Sequence, residues 1–161
     1  MEIRLAEARD AEAVRTIYNL EVTTATSTFD LVPRSLAQQE QWLAQRSGAF
    51  SAIVAELDGT VVGFASLSPY KERAAYRTTV EDSIYVSRDH SRRGIGTALL
   101  EHLIEIATAS GFHTVIARIE ASSDSSRALH SRCGFELVGI ERQVGRKFNR
   151  WLDVAVLQRM L

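Results

Sequence analysis

The chain has 161 residues, of which 45% are hydrophobic and 24% are charged, and its net charge is -1 at neutral pH. These values predict one folded domain over residues 1–161 and exclude a disordered or collagen-like protein. The even charge balance offers no basic excess, so we expect no nucleic-acid and no membrane partner. A lone cysteine, Cys133, excludes an internal disulfide, and the lack of an apolar leader favours the cytoplasm.

The first third of the chain predicts a strand followed by two helices. The segment EIRLA alternates as a strand does, and Asp10 is placed to cap a helix whose apolar residues recur at helical spacing as far as Val22. A loop rich in threonine and serine, TTATSTFDLVP, follows. Ser35 is expected to cap a second helix that closes near Gly48.

The middle of the chain predicts three strands and a helix. Two apolar stretches, AIVAEL and VVGFASL, flank Asp58-Gly59, a dipeptide typical of a two-residue hairpin turn. A cationic connection, SPYKERAAYRT, leads to the strand TVEDSIYV. A helix is then expected from about Gly94 to Ala109, with Gly111 as its stop signal.

The last third predicts a strand, a short helix and two further strands. TVIARIEA forms the strand, SSDSSRALHSRC forms the helix, and Gly134 ends it. The tail alternates in FELVGIERQVG and WLDVAVLQRML. The order β-α-α-β-β-β-α-β-α-β-β therefore predicts an α+β fold in three layers, with a mixed sheet and helices on its faces.

The stretch SRRGIGTALL, residues 91–100, predicts an anion-binding loop at a helix start. Gly94 and Gly96 allow an anion to approach the backbone N–H groups, where the helix dipole is positive, and Arg92 and Arg93 can add charge-assisted contacts. A P-loop is excluded because no Lys-Ser or Lys-Thr follows the glycines, and a dinucleotide fingerprint would need a third glycine at Leu99. The alternative is a tight turn with solvated arginines.

In its context this loop resembles that of a known superfamily. R-R-G-I-G-T, which follows the strand SIYV, is similar to the pyrophosphate-binding pattern Q/R-x-x-G-x-G/A of the GNAT N-acetyltransferases, with a one-residue ambiguity over which arginine fills the first place. Segments spread over most of the chain further resemble the phosphinothricin and methionine sulfoximine acetyltransferases: IYN (17–19), ASLSPYKERAAYRTTVEDSIYV (65–86), ALHSRCGF (128–135) and GRKFNRWLDVAVLQ (145–158). The resemblance implies acetyl-CoA as co-substrate, a mainly antiparallel twisted sheet whose middle strands splay apart, and a homodimer.

Glu81 is the candidate general base. Strand alternation places it on the face opposite to Val80 and Ile84, and it precedes Val86 by a span of ~16 Å at a rise of ~3.3 Å per residue, which is close to the length of a pantetheine arm. An acceptor α-amino group, with a pKa of about 8, must lose a proton before it can attack. The resemblance assigns this task to Glu81. The alternative is a solvated strand carboxylate.

The resemblance also implies which residues hold the cofactor and complete the catalysis. The cofactor residues are Ile84, Tyr85, Val86, Arg92, Arg93, Gly94, Ile95, Gly96, Thr97 and Ser123. Ser123 departs from the asparagine common in relatives, so its contact is expected to be weaker or to pass to Asp124. His130 occupies the place of a tyrosine acid in many relatives and is a candidate proton donor, with a structural histidine as the alternative.

The acceptor site is expected in the cationic connection and the first long loop. By resemblance, the substrate residues are Phe29, Arg73, Ala74, Ala75 and Tyr76, and arginine suits a carboxylate or phosphinate. The alternative is a solvated basic loop. The histidines have no metal-ligand spacing, so no metal is predicted.

Together these features predict an acetyl-CoA-dependent N-acetyltransferase with a small-molecule, amino-acid-like substrate. The acetyl group would pass directly to the α-amino group of methionine sulfoximine, methionine sulfone or phosphinothricin. Two alternatives stay open: an enzyme acting on a peptide or protein amine, and a non-catalytic acyl-CoA-binding regulatory module. Glu81 argues against the second, because sensing requires no base.

Overall fold

The computed structural model describes residues 1–161. Its strands and helices follow the predicted order. Their bounds are β1 Glu2–Leu5, α1 Ala11–Thr24, α2 Leu36–Ala44, β2 Ile53–Leu57, β3 Thr60–Pro69, β4 Thr79–Val86, α3 Ile95–Ala109, β5 Thr114–Glu120, α4 Asp124–Arg132, β6 Glu136–Lys147 and β7 Arg150–Met160. None of these helices has the length and apolar composition needed to cross a membrane.

The strands form one seven-stranded sheet in the order β1-β2-β3-β4-β5-β7-β6. Only the β4–β5 pair is parallel, which confirms the expected mixed, mainly antiparallel sheet. The β2–β3 hairpin turns at Asp58 and Gly59, with φ of 50° and 78°. Positive φ at both positions is what a type I′ turn requires, so this local prediction is also confirmed.

The helices cover the two faces of the sheet. A smaller core packs Val14, Tyr18 and other residues of α1 on Phe64, with Tyr85 of β4 at its border. The larger core contains Val80 of β4 and the buried face of α3, and Leu129 of α4 packs against it. Successive residues of β4 therefore face opposite layers. The odd-numbered ones face α1 and α2, and the even-numbered ones face α3 and α4.

Of the two predicted helix caps, the one at Ser35 is confirmed and the one at Asp10 is wrong. Ser35 caps α2 through its hydroxyl, which accepts from the N–H of Gln38 at 3.1 Å, as predicted. Asp10 immediately precedes α1, but its side chain does not cap that helix. Its oxygens instead accept from Arg4 at 2.8 and 2.9 Å and from the Glu7 N–H at 2.7 Å. Asp10 also has helical backbone angles, φ of -83° and ψ of -8°, whereas a capping residue is normally extended.

The middle of the sheet opens into a fork between β4 and β5. The parallel pairing ends at Glu81 and Ile116. Beyond that point β4 stays with β3 as far as Val86, whereas β5 follows β7 as far as Glu120. The two strands thus diverge, in agreement with the splayed strands that the resemblance implies, and Glu81 stands at the base of the fork.

Candidate active site

A cavity of about 980 Å³ occupies the fork. It is lined by β4 and β5, by the loop before α3, by α4 and by the loop after α1. The predicted site residues that line it are Phe29, Glu81, Ile84, Tyr85, Val86, Arg92, Gly94, Ile95, Gly96, Thr97, Ser123 and His130. Residues far apart in the sequence, and predicted separately, therefore meet at one cavity.

The start of α3 forms a cationic and glycine-rich end of the cavity. Gly94 precedes the helix with φ of 78°, and no side chain caps the first turn. A Cβ at Gly96 would lie 3.3 Å from Cδ2 of Leu129, so glycine allows the first turn of α3 to approach α4 closely. Arg92 lines the cavity and Arg93 does not. Free N–H groups at a helix start, next to an arginine, suit a diphosphate.

The free edge of β4 leads from this loop to Glu81. From Ile84 to Val86 the strand pairs with β3 on one side, and on the other side it borders the cavity. Its outward backbone groups therefore remain available to an extended ligand with amide groups. Ser123, which lies across the cavity before α4, makes no capping hydrogen bond, whereas Asp124 is already part of the helix. This edge fits a pantetheine arm.

Glu81 is half-buried and faces the α1–α2 side of the sheet. Burial raises the pKa of its carboxyl group above the usual range; the nearby Arg118 opposes this shift, and the carboxylates of Asp82 and Glu141 support it. Arg118 is itself bound to Glu141 at 2.6 Å. A carboxylate with a raised pKa is a stronger base, and one that lines a cavity can reach a substrate proton.

A buried pair between Asp82 and His130 lies on the opposite, α3–α4 side. Nε2 of His130 is 2.8 Å from Oδ2 of Asp82, and Nδ1 donates to the carbonyl oxygen of Ser126 at 2.8 Å. Burial lowers the pKa of His130, but the hydrogen bond and the charge of Asp82 outweigh it, so the pKa is raised. The sequence reasoning missed Asp82. The sequence does contain a signal for it, because Asp82 shares one face of its strand with the apolar residues Val80 and Ile84. A charged side chain at such a core-facing position needs a partner.

Four of the predicted acceptor residues lie outside the cavity lining. Ala74, Ala75 and Tyr76 form a short 3₁₀ turn, and Arg73 precedes it. All four are exposed. Of the predicted acceptor residues only Phe29 lines the cavity, so the substrate roles of the other four stay predictions.

The structure contains no group of three or more histidine, cysteine, aspartate or glutamate side chains that could hold a metal ion. Cys133 is buried and unpaired. Burial raises the pKa of its thiol, which lowers its reactivity.

Divergent strands, a glycine-rich helix start after one of them and a carboxylate at their base thus meet at one cavity. A family model described as the acetyltransferase (GNAT) family matches residues 14–135. The chain therefore belongs to the GNAT acetyltransferase family, and it is an N-acetyltransferase.

The chain is similar to several known acetyltransferases over nearly its whole length. The chain is 38% identical over 158 residues to an L-methionine sulfoximine/L-methionine sulfone acetyltransferase of Pseudomonas paraeruginosa, with 97% of this chain and 92% of the relative covered. A Sinorhizobium meliloti phosphinothricin acetyltransferase crystallised with acetyl-CoA shares 40% identity at a TM-score of 0.95, covering 99% and 88% of the two chains. A ribosomal-protein-alanine N-acetyltransferase structure from Brucella melitensis shares 40% identity at a TM-score of 0.97, with both chains covered completely.

Proposed function

We propose that residues 1–161 form a single acetyl-CoA-dependent acetyltransferase domain that modifies the α-amino group of small amino-acid analogues. Methionine sulfoximine, methionine sulfone and phosphinothricin are the proposed acceptors. The observation that carries this proposal is the fork with Glu81 at its base, because it lines a cavity that also reaches the helix start suited to a diphosphate. The names of the Pseudomonas and Sinorhizobium relatives support the acceptor class.

Acetyl-CoA is a substrate here and supplies an acetyl group activated as a thioester. The N–H groups at the start of α3 and the guanidinium of Arg92 bind its diphosphate. The free edge of β4 from Ile84 to Val86 pairs with the pantetheine amides, and a backbone N–H of this edge stabilises the oxyanion that forms on the thioester carbonyl. Ser123 adds a hydroxyl contact from the far side of the cavity.

The two substrates approach Glu81 from opposite faces of the sheet. The cofactor lies on the α3–α4 side, and the acceptor amine enters on the α1–α2 side, which Glu81 faces. Glu81 removes a proton from the ammonium group, directly or through water. The amine nitrogen then bonds to the acetyl carbon, the C–S bond breaks, and the sulfur leaves as a thiolate. The nitrogen loses its second proton to solvent, and Glu81 releases the proton it took to solvent before the next turnover.

His130 is the proposed donor of the proton that the thiolate receives. Nε2, which points to Asp82 at 2.8 Å, holds that proton because the neighbouring carboxylate favours the charged ring. Donation requires this hydrogen bond to open, after which solvent restores the proton. By favouring the charged ring, Asp82 promotes this reprotonation of His130 by solvent between turnovers in this scheme.

The acceptor end combines apolar and cationic groups. Phe29 and Val144 line it together with Arg118, and Arg73 lies in the exposed connection before β4. An arginine can bind the carboxylate of an amino acid in a bidentate way. A peptide acceptor is a second candidate, favoured by the name of the Brucella relative.

We also propose a homodimer through the β6–β7 hairpin. β6 is an edge strand of the sheet, and the hairpin exposes many large apolar side chains. They are Leu137, Val138, Ile140, Val144, Phe148, Trp151 and Met160. Light scattering should give the mass of two chains, and Val138→Lys combined with Trp151→Lys should give that of one. A wild-type monomer would contradict this proposal.

The test of the function is thiol release from acetyl-CoA with a panel of acceptors: methionine sulfoximine, methionine sulfone, phosphinothricin, spermidine and a peptide with N-terminal alanine. We expect release with at least one of the first three and none with spermidine. Thiol release with the peptide alone would favour the second candidate function, acetylation of a peptide amine. No release with any amine, despite acetyl-CoA binding, would favour the regulatory module.

A further inference from the structure

The loop after α1, residues 25–34, touches the β6–β7 hairpin at a glycine. The ring of Phe29 lies against the backbone of Gly145 so closely that a Cβ at position 145 would be 2.8 Å from its Cδ2 and 3.0 Å from its Cζ, and nearer still to Cε2. Gly145 does not have a positive φ, so its backbone conformation alone does not require glycine. The space taken by the ring is what excludes a side chain.

The loop is fixed on both sides of this contact. Lys147, a buried side chain of the hairpin, donates from Nζ to the Thr28 carbonyl oxygen at 2.8 Å. On the other side, the Tyr18 hydroxyl bonds to Thr28 and Asp30. The backbone of Phe29 is therefore held in place, and an added atom at position 145 would displace the ring before it moved the loop.

The ring forms a wall of the acceptor end of the cavity. Phe29 lines the same cavity as Glu81, together with Val144 of the hairpin. The loop follows α1, and Glu81 also faces the α1–α2 side of the sheet. Any shift of the ring therefore changes the shape of the cavity that Glu81 lines.

We propose that Gly145 is a positioning residue for acceptor specificity. By leaving room for the Phe29 ring, it sets the size and shape of the acceptor pocket and so selects among amino acids by their side chains. This inference rests on the proposed function, because it requires the acceptor to bind next to Glu81.

The first arm of the test compares Gly145→Ala with Gly139→Ala. Gly139 lies in the same strand, and a Cβ there would meet nothing within 4 Å. In Gly145→Ala we expect kcat/KM for the preferred small acceptor to fall at least about tenfold, since wall contacts of this size are worth about that much, while KM for acetyl-CoA stays constant. The ratio of activity with phenylalanine to that with methionine sulfone should differ from that of the wild type. Gly139→Ala should match the wild type.

The second arm is a double-mutant cycle with Phe29→Ala. If Gly145 acts through the ring, Gly145→Ala has no further effect in a Phe29→Ala background, because nothing is left to clash. An equal loss in both backgrounds, or a Gly145→Ala enzyme equal to Gly139→Ala, overturns the inference. Should Gly145→Ala alone fail to fold, recovery of folding in the double variant supports the contact, and failure of the double variant overturns it.

The same assays separate this inference from the proposed function. A wild-type enzyme that acetylates no amine refutes the function. A wild-type enzyme that acetylates a small amino-acid analogue, with unchanged selectivity in Gly145→Ala, refutes the role of Gly145 alone.

Discussion

Glu81→Gln tests the general base most sharply. The substitution keeps the shape of a half-buried side chain at the fork but removes the group that accepts the proton. General base catalysis contributes about 10²- to 10⁴-fold, which corresponds to about 3 to 5 kcal/mol of activation free energy. We therefore expect kcat near neutral pH to fall by that factor, with little change in KM for acetyl-CoA, in a steady-state thiol-release assay.

The pH dependence distinguishes a base from a binding residue. Above the pKa of the acceptor amine, the amine arrives already neutral, so the deficit of Glu81→Gln should shrink as the pH rises. Glu105→Gln, on the exposed side of α3, is the matched control and should equal the wild type. A deficit that is the same at every pH, or full activity in Glu81→Gln near neutrality, would refute the assignment.

Three further predictions use groups around the cavity. Arg118→Met removes the charge that lowers the pKa of Glu81, so the acid limb of kcat/KM should move to higher pH. Asp82→Asn removes the carboxylate that raises the pKa of His130 in the folded protein. The variant should therefore have a lower free energy of unfolding than the wild type, with the largest difference below pH about 6.5 and a smaller one as the pH rises through the pKa of His130 in the folded protein. Urea unfolding at several pH values measures this difference. Gly94→Ala places an alanine where the backbone has φ of 78°, a left-handed conformation that costs a residue with a side chain about 1–2 kcal/mol. This variant should have a higher KM for acetyl-CoA.

Each of these predictions has a control and a contradicting result. Arg118→Lys keeps the positive charge and should leave the acid limb of kcat/KM near its wild-type position. An acid limb at the wild-type pH in Arg118→Met would contradict the prediction for Arg118. A stability gap for Asp82→Asn that widens with pH would contradict the second. Gly59→Ala creates the same strain at the β2–β3 turn, also with φ of 78°, and should lower stability without changing KM for acetyl-CoA. Equal effects of the two glycine variants on that KM would contradict the third.

Local signals explain how much of the fold the sequence predicts. The turn at Asp58-Gly59, the cap at Ser35 and the helix that follows Gly94 each depend on residues only a few positions apart, and each is present in the structure. The fork between β4 and β5 has no such signal. It was expected only through the resemblance, because where two parallel strands part depends on the packing of both.

Long-range contacts explain what the sequence could not supply. Asp82 and His130 are separated by 48 residues. Asp10 does not cap α1, and its carboxylate instead accepts from Arg4 and from the Glu7 N–H. The contact between Phe29 and Gly145 is also invisible in a linear pattern, since glycine in a strand usually suggests a bulge. These three features depend on contacts between residues that are not adjacent in the sequence, and not on the local helix or strand propensity of each residue.

A crystal structure of the enzyme with coenzyme A and methionine sulfone would test the central claim directly, namely that the two substrates meet at Glu81 from opposite faces of the sheet. We predict the diphosphate at the N–H groups of Gly94 to Thr97 and the acceptor nitrogen within a hydrogen bond, or one water, of the Glu81 carboxylate. An acceptor bound with its amine away from Glu81, or on the same face as the cofactor, would contradict the account.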